Sequence, residues 1–178
     1  MAGLRTVRRS FADPTLQRSL RRILRENVLC SISTVAPRNR AHINTAYFCY
    51  SPDLELYFLS HTDSLHCMNL DRNASMAMTI FRSDQPWGVP NRGVQLFGTA
   101  RRATGAAAKR AEGVYGRRFP AYLRVTRSTR TEDRAMGDQL RSYRFYRFVP
   151  RTLKVLDEGV FGGGVFVIAT VPRRKGSR

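Results

Sequence analysis

Lysine is nearly missing from this chain. Lys109, Lys154 and Lys175 are the only ones among 31 basic residues, and acidic residues number just 13. The resulting net charge of +18 usually points to nucleic acid or an acidic partner. Here the arginines run along the whole chain and do not gather in one tract, as a GC-rich coding bias would produce. A specific nucleic-acid role is therefore not expected. Cysteine is also scarce. Cys30, Cys49 and Cys67 show no C-x-x-C spacing and sit in apolar segments. An odd, scattered set excludes a disulfide framework and fits a reduced, cytoplasmic protein. No apolar run approaches the roughly 20 residues of a membrane span. The catalytic signatures G-x-S-x-G and H-E-x-x-H are missing, no metal-ligand cluster is spaced to act, and no nucleophile stands out. The run Gly162-Gly163-Gly164 precedes a strand and lacks Gly-Lys-Ser/Thr, so it is neither a P-loop nor a dinucleotide fingerprint.

What is present suits one globular domain. The 178 residues are 42% hydrophobic and 10% aromatic, enough for a real core. Residues 1–12 read as a flexible N-terminus, 13–171 as a single domain and 172–178 as a disordered basic tail. Arg8-Arg9-Ser10-Phe11 opens like a twin-arginine export signal, but Asp13-Pro14-Thr15 follows where an apolar region is needed. Asp13 and Pro14 instead mark a helix start, and Leu16, Leu20, Ile23 and Leu24 form its apolar stripe.

Strands dominate thereafter. Residues 28–35, 41–50 and 54–59 read as a three-stranded meander, with 75–81, 92–102, 143–156 and 165–171 completing the set. Pro150 marks a bulge or an edge. Short helices fit 65–70 and 104–115, while the arginine-rich segment 117–139 has no clear pattern. Six or seven antiparallel strands with few helices suggest a mainly β fold with α: a β-barrel with flanking helices.

Polar side chains concentrate at one handover. After the strand 54–59 comes Ser60-His61-Thr62-Asp63-Ser64, then a helix start. Free backbone N–H groups and the helix dipole favour an anion at such a place, although Ser, Thr and Asp there also serve as plain caps. The strand 41–50 carries His42, Asn44 and Thr45, which fit either an exposed face or a ligand. Gln95 beside Gly93 would let a flat ligand approach the backbone, or would simply face solvent.

The succession YFLSHTDSLHCMNLDRNASMAMTIF, a loop holding the single Trp87, and RGVQLFGTA resembles the flavin-binding split-barrel proteins related to pyridoxamine 5'-phosphate oxidase. Ser64-Leu65-His66, Arg92-Gly93-Val94-Gln95 and Arg117-Arg118-Phe119-Pro120 are similar to a small bacterial branch of it. The likeness runs from about residue 20 to 171. It implies a split antiparallel β-barrel, a homodimer, and FMN held at the subunit interface. The flavin ring would lie along His42, Asn44, Thr45 and Ala46. Its phosphate would sit in the turn of Leu59, Ser60, His61, Thr62, Ser64 and His66, with Trp87 and Gln95 near the ring. The oxidase has Arg-Lys where this chain has Leu65-His66. That argues against pyridoxamine phosphate as substrate and makes His66, with a pKa raised by the phosphate, the expected cation.

The resulting expectation is an FMN-dependent oxidoreductase acting on a small-molecule substrate, with no membrane contact. Three alternatives stay open: a reductase using the deazaflavin F420, a non-catalytic binding protein for a small ligand such as haem, and an arginine-rich nucleic-acid binder.

Overall fold

A computed structural model of the chain describes residues 3–172. After strand β1 (Arg5–Arg8), helix α1 (Pro14–Glu26) starts where the sequence expects it. The Asp13 carboxylate accepts the Thr15 and Leu16 N–H groups, and Pro14 occupies the first turn, where its missing N–H costs nothing. The helix lays Leu16, Leu20, Ile23 and Leu24 into the core. Each such burial is worth about 1.5–3 kcal/mol.

Strands β2 (Leu29–Ala36), β3 (Arg40–Tyr50) and β4 (Leu56–Ser60) form the expected antiparallel meander. A 3₁₀ turn, Pro37–Asn39, joins the first two. Helix α2 (Leu65–Arg72) leads to β5 (Ser75–Phe81), which pairs with both β2 and β6 (Arg92–Arg102). Three helices follow: α3 (Gly105–Arg118), α4 (Pro120–Arg127) and α5 (Thr131–Ser142). Strand β7 (Arg144–Asp157), the short helix α6 (Glu158–Phe161) and strand β8 (Val165–Thr170) complete the described chain.

The long strand β7 explains how the barrel closes and splits. Along one edge it pairs with β6 from Tyr146 to Asp157. Its other edge is shared: β4 takes Arg144 to Phe148, and β8 takes Thr152 to Leu156. Strands β7-β4-β3-β2-β5-β6 thus form a closed antiparallel ring, from which β8 and β1 extend as a flap. The register slips where Phe97 faces Thr152 but Gly98 faces Pro150, so the bulge expected at Pro150 is present.

Strand β4 is buried on both faces. Leu56 and Phe58 enter the barrel core, while Tyr57 enters a second apolar cluster with Cys49, Ala111, Tyr115 and Phe145 under α3. Helix α3 covers the outer side, so simple alternation understates how much of β4 is enclosed.

Two parts of the chain differ from the sequence reading. Residues 5–8, within the segment read as a flexible N-terminus, form a strand. Arg5–Arg8 pair in parallel with β8, with the Arg5 N–H donating to Gly164 O and the Arg9 N–H to Ile168 O, both at 3.0 Å. All four β1 residues are exposed, so no apolar periodicity announces them. The segment 117–139 holds two helices. Pro120 opens α4, and Glu132 and Asp133 sit favourably in the first turn of α5. Residues 173–178 of the expected tail lie outside the described residues. No helix among the described residues is long and apolar enough to cross a membrane.

Candidate functional site

The turn between β4 and α2 gathers hydroxyls around a buried imidazole. Nε2 of His66 lies 2.7 Å from Ser60 Oγ and 3.1 Å from Ser64 Oγ, and the two hydroxyls are 3.2 Å apart. Ser64 stands at the N-cap of α2, yet its side chain makes no capping bond; the hydroxyl donates to His61 O at 2.8 Å. The first-turn N–H groups of α2 are therefore left without a side-chain acceptor. His61 lies half-exposed at the rim, its ring edge-on to Tyr143.

His66 departs from its expected role. Its side chain is buried, with its ring stacked parallel to His42 at 6.4 Å between centroids. Burial first, and the neighbouring His42 second, push its pKa below the ordinary histidine value. The expected rise belongs to His66 beside a bound phosphate; in the chain without one the shift runs the other way. The imidazole is a neutral hydrogen-bonding partner of Ser60 and Ser64, facing into the barrel mouth.

Strand β3 presents two faces near this turn. His42, Asn44 and Ala46 share the side that carries the buried Phe48, while Ile43, Thr45 and Tyr47 face the opposite way. On the opposite face the pairing sets Ile43, Ser33, Ala77 and Phe97 in one cross-strand row and Thr45, Ser31, Thr79 and Gln95 in the next. Most of these residues line a shallow cavity of about 270 Å³. The face is open and partly apolar: Ile43 is 70% exposed, Tyr47 55% and Phe97 44%.

The expected site residues therefore fall into three groups. Ser60, Ser64, His66 and His42 come together at the turn, with Asn44 and Ala46 further along the same face of β3. Thr45 and Gln95 lie in one row of the outer sheet face, three strand spacings apart or about 14 Å. Leu59 packs into the cluster beneath α3. Thr62 bonds its neighbour Asp63, and the fully exposed Trp87 stands in the loop before β6, in contact with neither group. Among the described residues no group of three His, Cys, Asp or Glu side chains is placed to hold a metal ion.

Three framework residues have roles that the sequence reading did not assign. Arg118 donates to Leu24 O and Asn27 O, tying down the end of α1, and lies 4.8 Å over the Phe48 ring. Asp157, only 2% exposed, accepts from Ser19 Oγ at 2.5 Å and from Arg22 at 2.6 Å. Asn69 donates to Thr34 Oγ1 and anchors α2 on β2. Arg118 and Asp157 left a signal, the first within the Arg117-Arg118-Phe119-Pro120 motif and the second as a carboxylate closing an apolar strand.

The family model described as pyridoxamine 5'-phosphate oxidase matches residues 16–151. The chain belongs to this family. Comparison with curated proteins finds no match. Solved structures share the fold of the family over most of the chain. A conserved hypothetical protein of Mycobacterium tuberculosis superposes with a TM-score of 0.64 at 17% identity, covering 96% of this chain and 98% of its own. A Clostridium acetobutylicum protein related to general stress protein 26, of the pyridoxinephosphate oxidase family, gives 0.62 at 10% identity over 89% and 96%. HutZ, the haem storage protein of Vibrio cholerae, gives 0.59 at 14% identity over 76% and 89%. Identities this low establish the split-barrel fold of the family and nothing finer.

Proposed function

We propose that the protein is a homodimeric FMN-binding oxidoreductase whose cofactor lies between two subunits. The observation that carries this reading is the β4–α2 turn. Unpaired N–H groups at the start of α2, joined by the Ser60 and Ser64 hydroxyls once these turn from His66 and His61 O, offer several donors to one phosphate within a single turn. These donors fit the acceptor oxygens of a phosphate monoester without any fixed cation in the turn. The second support is the open sheet face. Ile43, Tyr47 and Phe97 form an apolar surface of the kind that marks association between chains. A second copy seated there would bring its own side chains towards the first copy's β3, which accounts for Gln95 and Trp87 standing apart from the turn.

When bound, FMN would supply the redox chemistry. The chain would orient it: the turn fixes the phosphate, the backbone and side chains of β3 position the ring, and the partner's face excludes water. With His66 neutral, phosphate binding rests on N–H and O–H donors whose charge does not change near neutrality. FMN affinity is therefore expected to be nearly flat above pH 7, where a protonated histidine would have made it fall.

A second reading follows from the half-exposed imidazole of His61, which would hold the iron of a haem, and the shared fold of the haem storage protein HutZ. Titration with FMN, riboflavin and haemin, followed by fluorescence quenching and visible absorption, separates the two. FMN is expected to bind saturably at one per chain and more tightly than riboflavin, and Ser64→Ala should remove only that phosphate-dependent margin. Equal FMN and riboflavin affinity would defeat the phosphate assignment. A haem spectrum abolished by His61→Ala would favour the second reading.

A further inference from the structure

A large cavity lies at the opposite end of β4 from the hydroxyl turn, about five residues or ~16 Å away along the strand. Its volume is about 590 Å³, within the usual range for small-molecule sites. It is walled by the end of β6, the middle of β7 and the start of α3.

The lining is strongly cationic. Arg101, Arg102, Arg147 and Arg151 all border it, against Asp53 and Glu55. Glu55 is already committed: it accepts from Arg147 at 2.5 Å and from the Tyr57 hydroxyl at 2.6 Å, with Arg110 4.0 Å away. Arg101, Arg102 and Arg151 make no ion pair among the described residues. Strand register sharpens the point. Arg101 sits directly opposite Arg147 across the β6–β7 ladder, and like charges so placed repel. The Arg147 Nε, buried, has no hydrogen-bond partner.

The start of α3 faces the same space through Thr104, Ala106 and Ala107. Thr104 at the N-cap makes no side-chain capping bond, so first-turn N–H groups and the positive end of a 14-residue helix are available there. Opposed arginines and an uncapped helix start lack the same thing, a compact anion with several acceptor oxygens. A single carboxylate supplies two such oxygens; a phosphate supplies three and carries up to two charges.

We propose that this cavity is a second binding site, taking the phosphate of a phosphorylated small molecule whose organic part occupies the remaining volume. Arg101 and the start of α3 hold the phosphate, with Arg102 and Arg151 at the rim. The concavity favours a small molecule over a nucleic-acid backbone, which would need an open track. The site is independent of the flavin assignment, since it shares no residue with the hydroxyl turn.

The test is calorimetric titration of the full-length protein with pyrophosphate at constant physiological ionic strength, using wild type, Arg101→Gln, Arg134→Gln and Ser64→Ala. Saturable binding at the cavity is expected to weaken about tenfold in Arg101→Gln. It should be unchanged in Arg134→Gln, which removes an exposed arginine of α5, whereas Ser64→Ala should remove only binding at the hydroxyl turn and leave the cavity site in place. Thermal melting provides a second reading. Without phosphate, Arg101→Gln should melt no lower than wild type because it relieves the repulsion with Arg147; with pyrophosphate, wild type should gain more. Four results would overturn the proposal: no saturable binding, equal weakening in Arg134→Gln, weakening confined to Ser64→Ala, or a lower melting temperature of Arg101→Gln in phosphate-free buffer.

Discussion

His66 shows how much a single environment can change a residue's role. Its imidazole is held by two serine hydroxyls inside the barrel mouth, where burial disfavours the charged form. In the unfolded chain the same group titrates near pH 6.5. Between that value and the lower folded pKa, the unfolded state binds the extra proton, so stability rises with pH in this window. The contribution is complete above about pH 6.5 and is lost as pH falls through the depressed folded value. Denaturant midpoints of wild type should decline on acidification from pH 7 to 5. In His66→Gln the midpoint at pH 8 should be lower, since the bonds to Ser60 and Ser64 are disturbed, but its decline should be shallower. Parallel profiles would show that His66 has the same pKa in the folded and unfolded chain and contributes nothing to the pH dependence. The thiols of Cys30 and Cys49 follow the same logic, since burial pushes each up to about 12 and keeps it unreactive near neutrality.

At the level of elements, the β6–β7 ladder depends on a residue with no side chain. A Cβ placed on Gly98 would stand 2.1 Å from Val149 O and 2.8 Å from Pro150 Cα, both backbone atoms that cannot swing aside. Gly98→Ala is expected to cost at least about 2 kcal/mol through overpacking. That corresponds to a drop of ~4–8 °C in melting temperature for a domain of this size. Gly163→Ala, with nothing within 4 Å, is the matched control and should be near neutral. The seven strands with apolar periodicity were legible in the sequence, as were α1 through its Asp13-Pro14 start and the bulge at Pro150. Strand β1 was not, because its four side chains are exposed and its backbone bonds alone define it. Helices α4 and α5 were masked by their many arginines, which lie on solvent faces and blur the periodic stripe. At the candidate site, sequence order pointed to Ser60, Ser64 and His66 as one cluster. The inward turn of His66 depended on the His42 ring above it, a contact that no local pattern encodes.

For the whole molecule, the open face of β3-β2-β5-β6 is the feature that a monomer leaves unexplained. Ile43 and Phe97, at the two ends of one cross-strand row, would be covered in the proposed dimer. A charge at that position should separate the copies at little cost to the fold, since Phe97 is already exposed in the single chain. Phe97→Glu is therefore expected to shift the light-scattering mass towards that of one chain of 20.3 kDa and to weaken FMN binding. Far-ultraviolet circular dichroism should be retained. A wild-type protein that scatters as a monomer at micromolar concentration while holding FMN tightly would rule out the interface.

The parallel pairing of β1 with β8 has a consequence for how the protein is made. During synthesis β1 is made long before Val165 to Ile168, the residues against which it pairs. Closure of the ring likewise waits for β7, which supplies partners to β4 and β6 that were translated well before it. Until then β4 and β6 each have an unpaired edge. Completion of the fold is thus deferred until β7 and β8 have been made, and its rate is governed by contacts between distant parts of the chain. The nascent chain, with its apolar strands exposed meanwhile, is the form most dependent on chaperones.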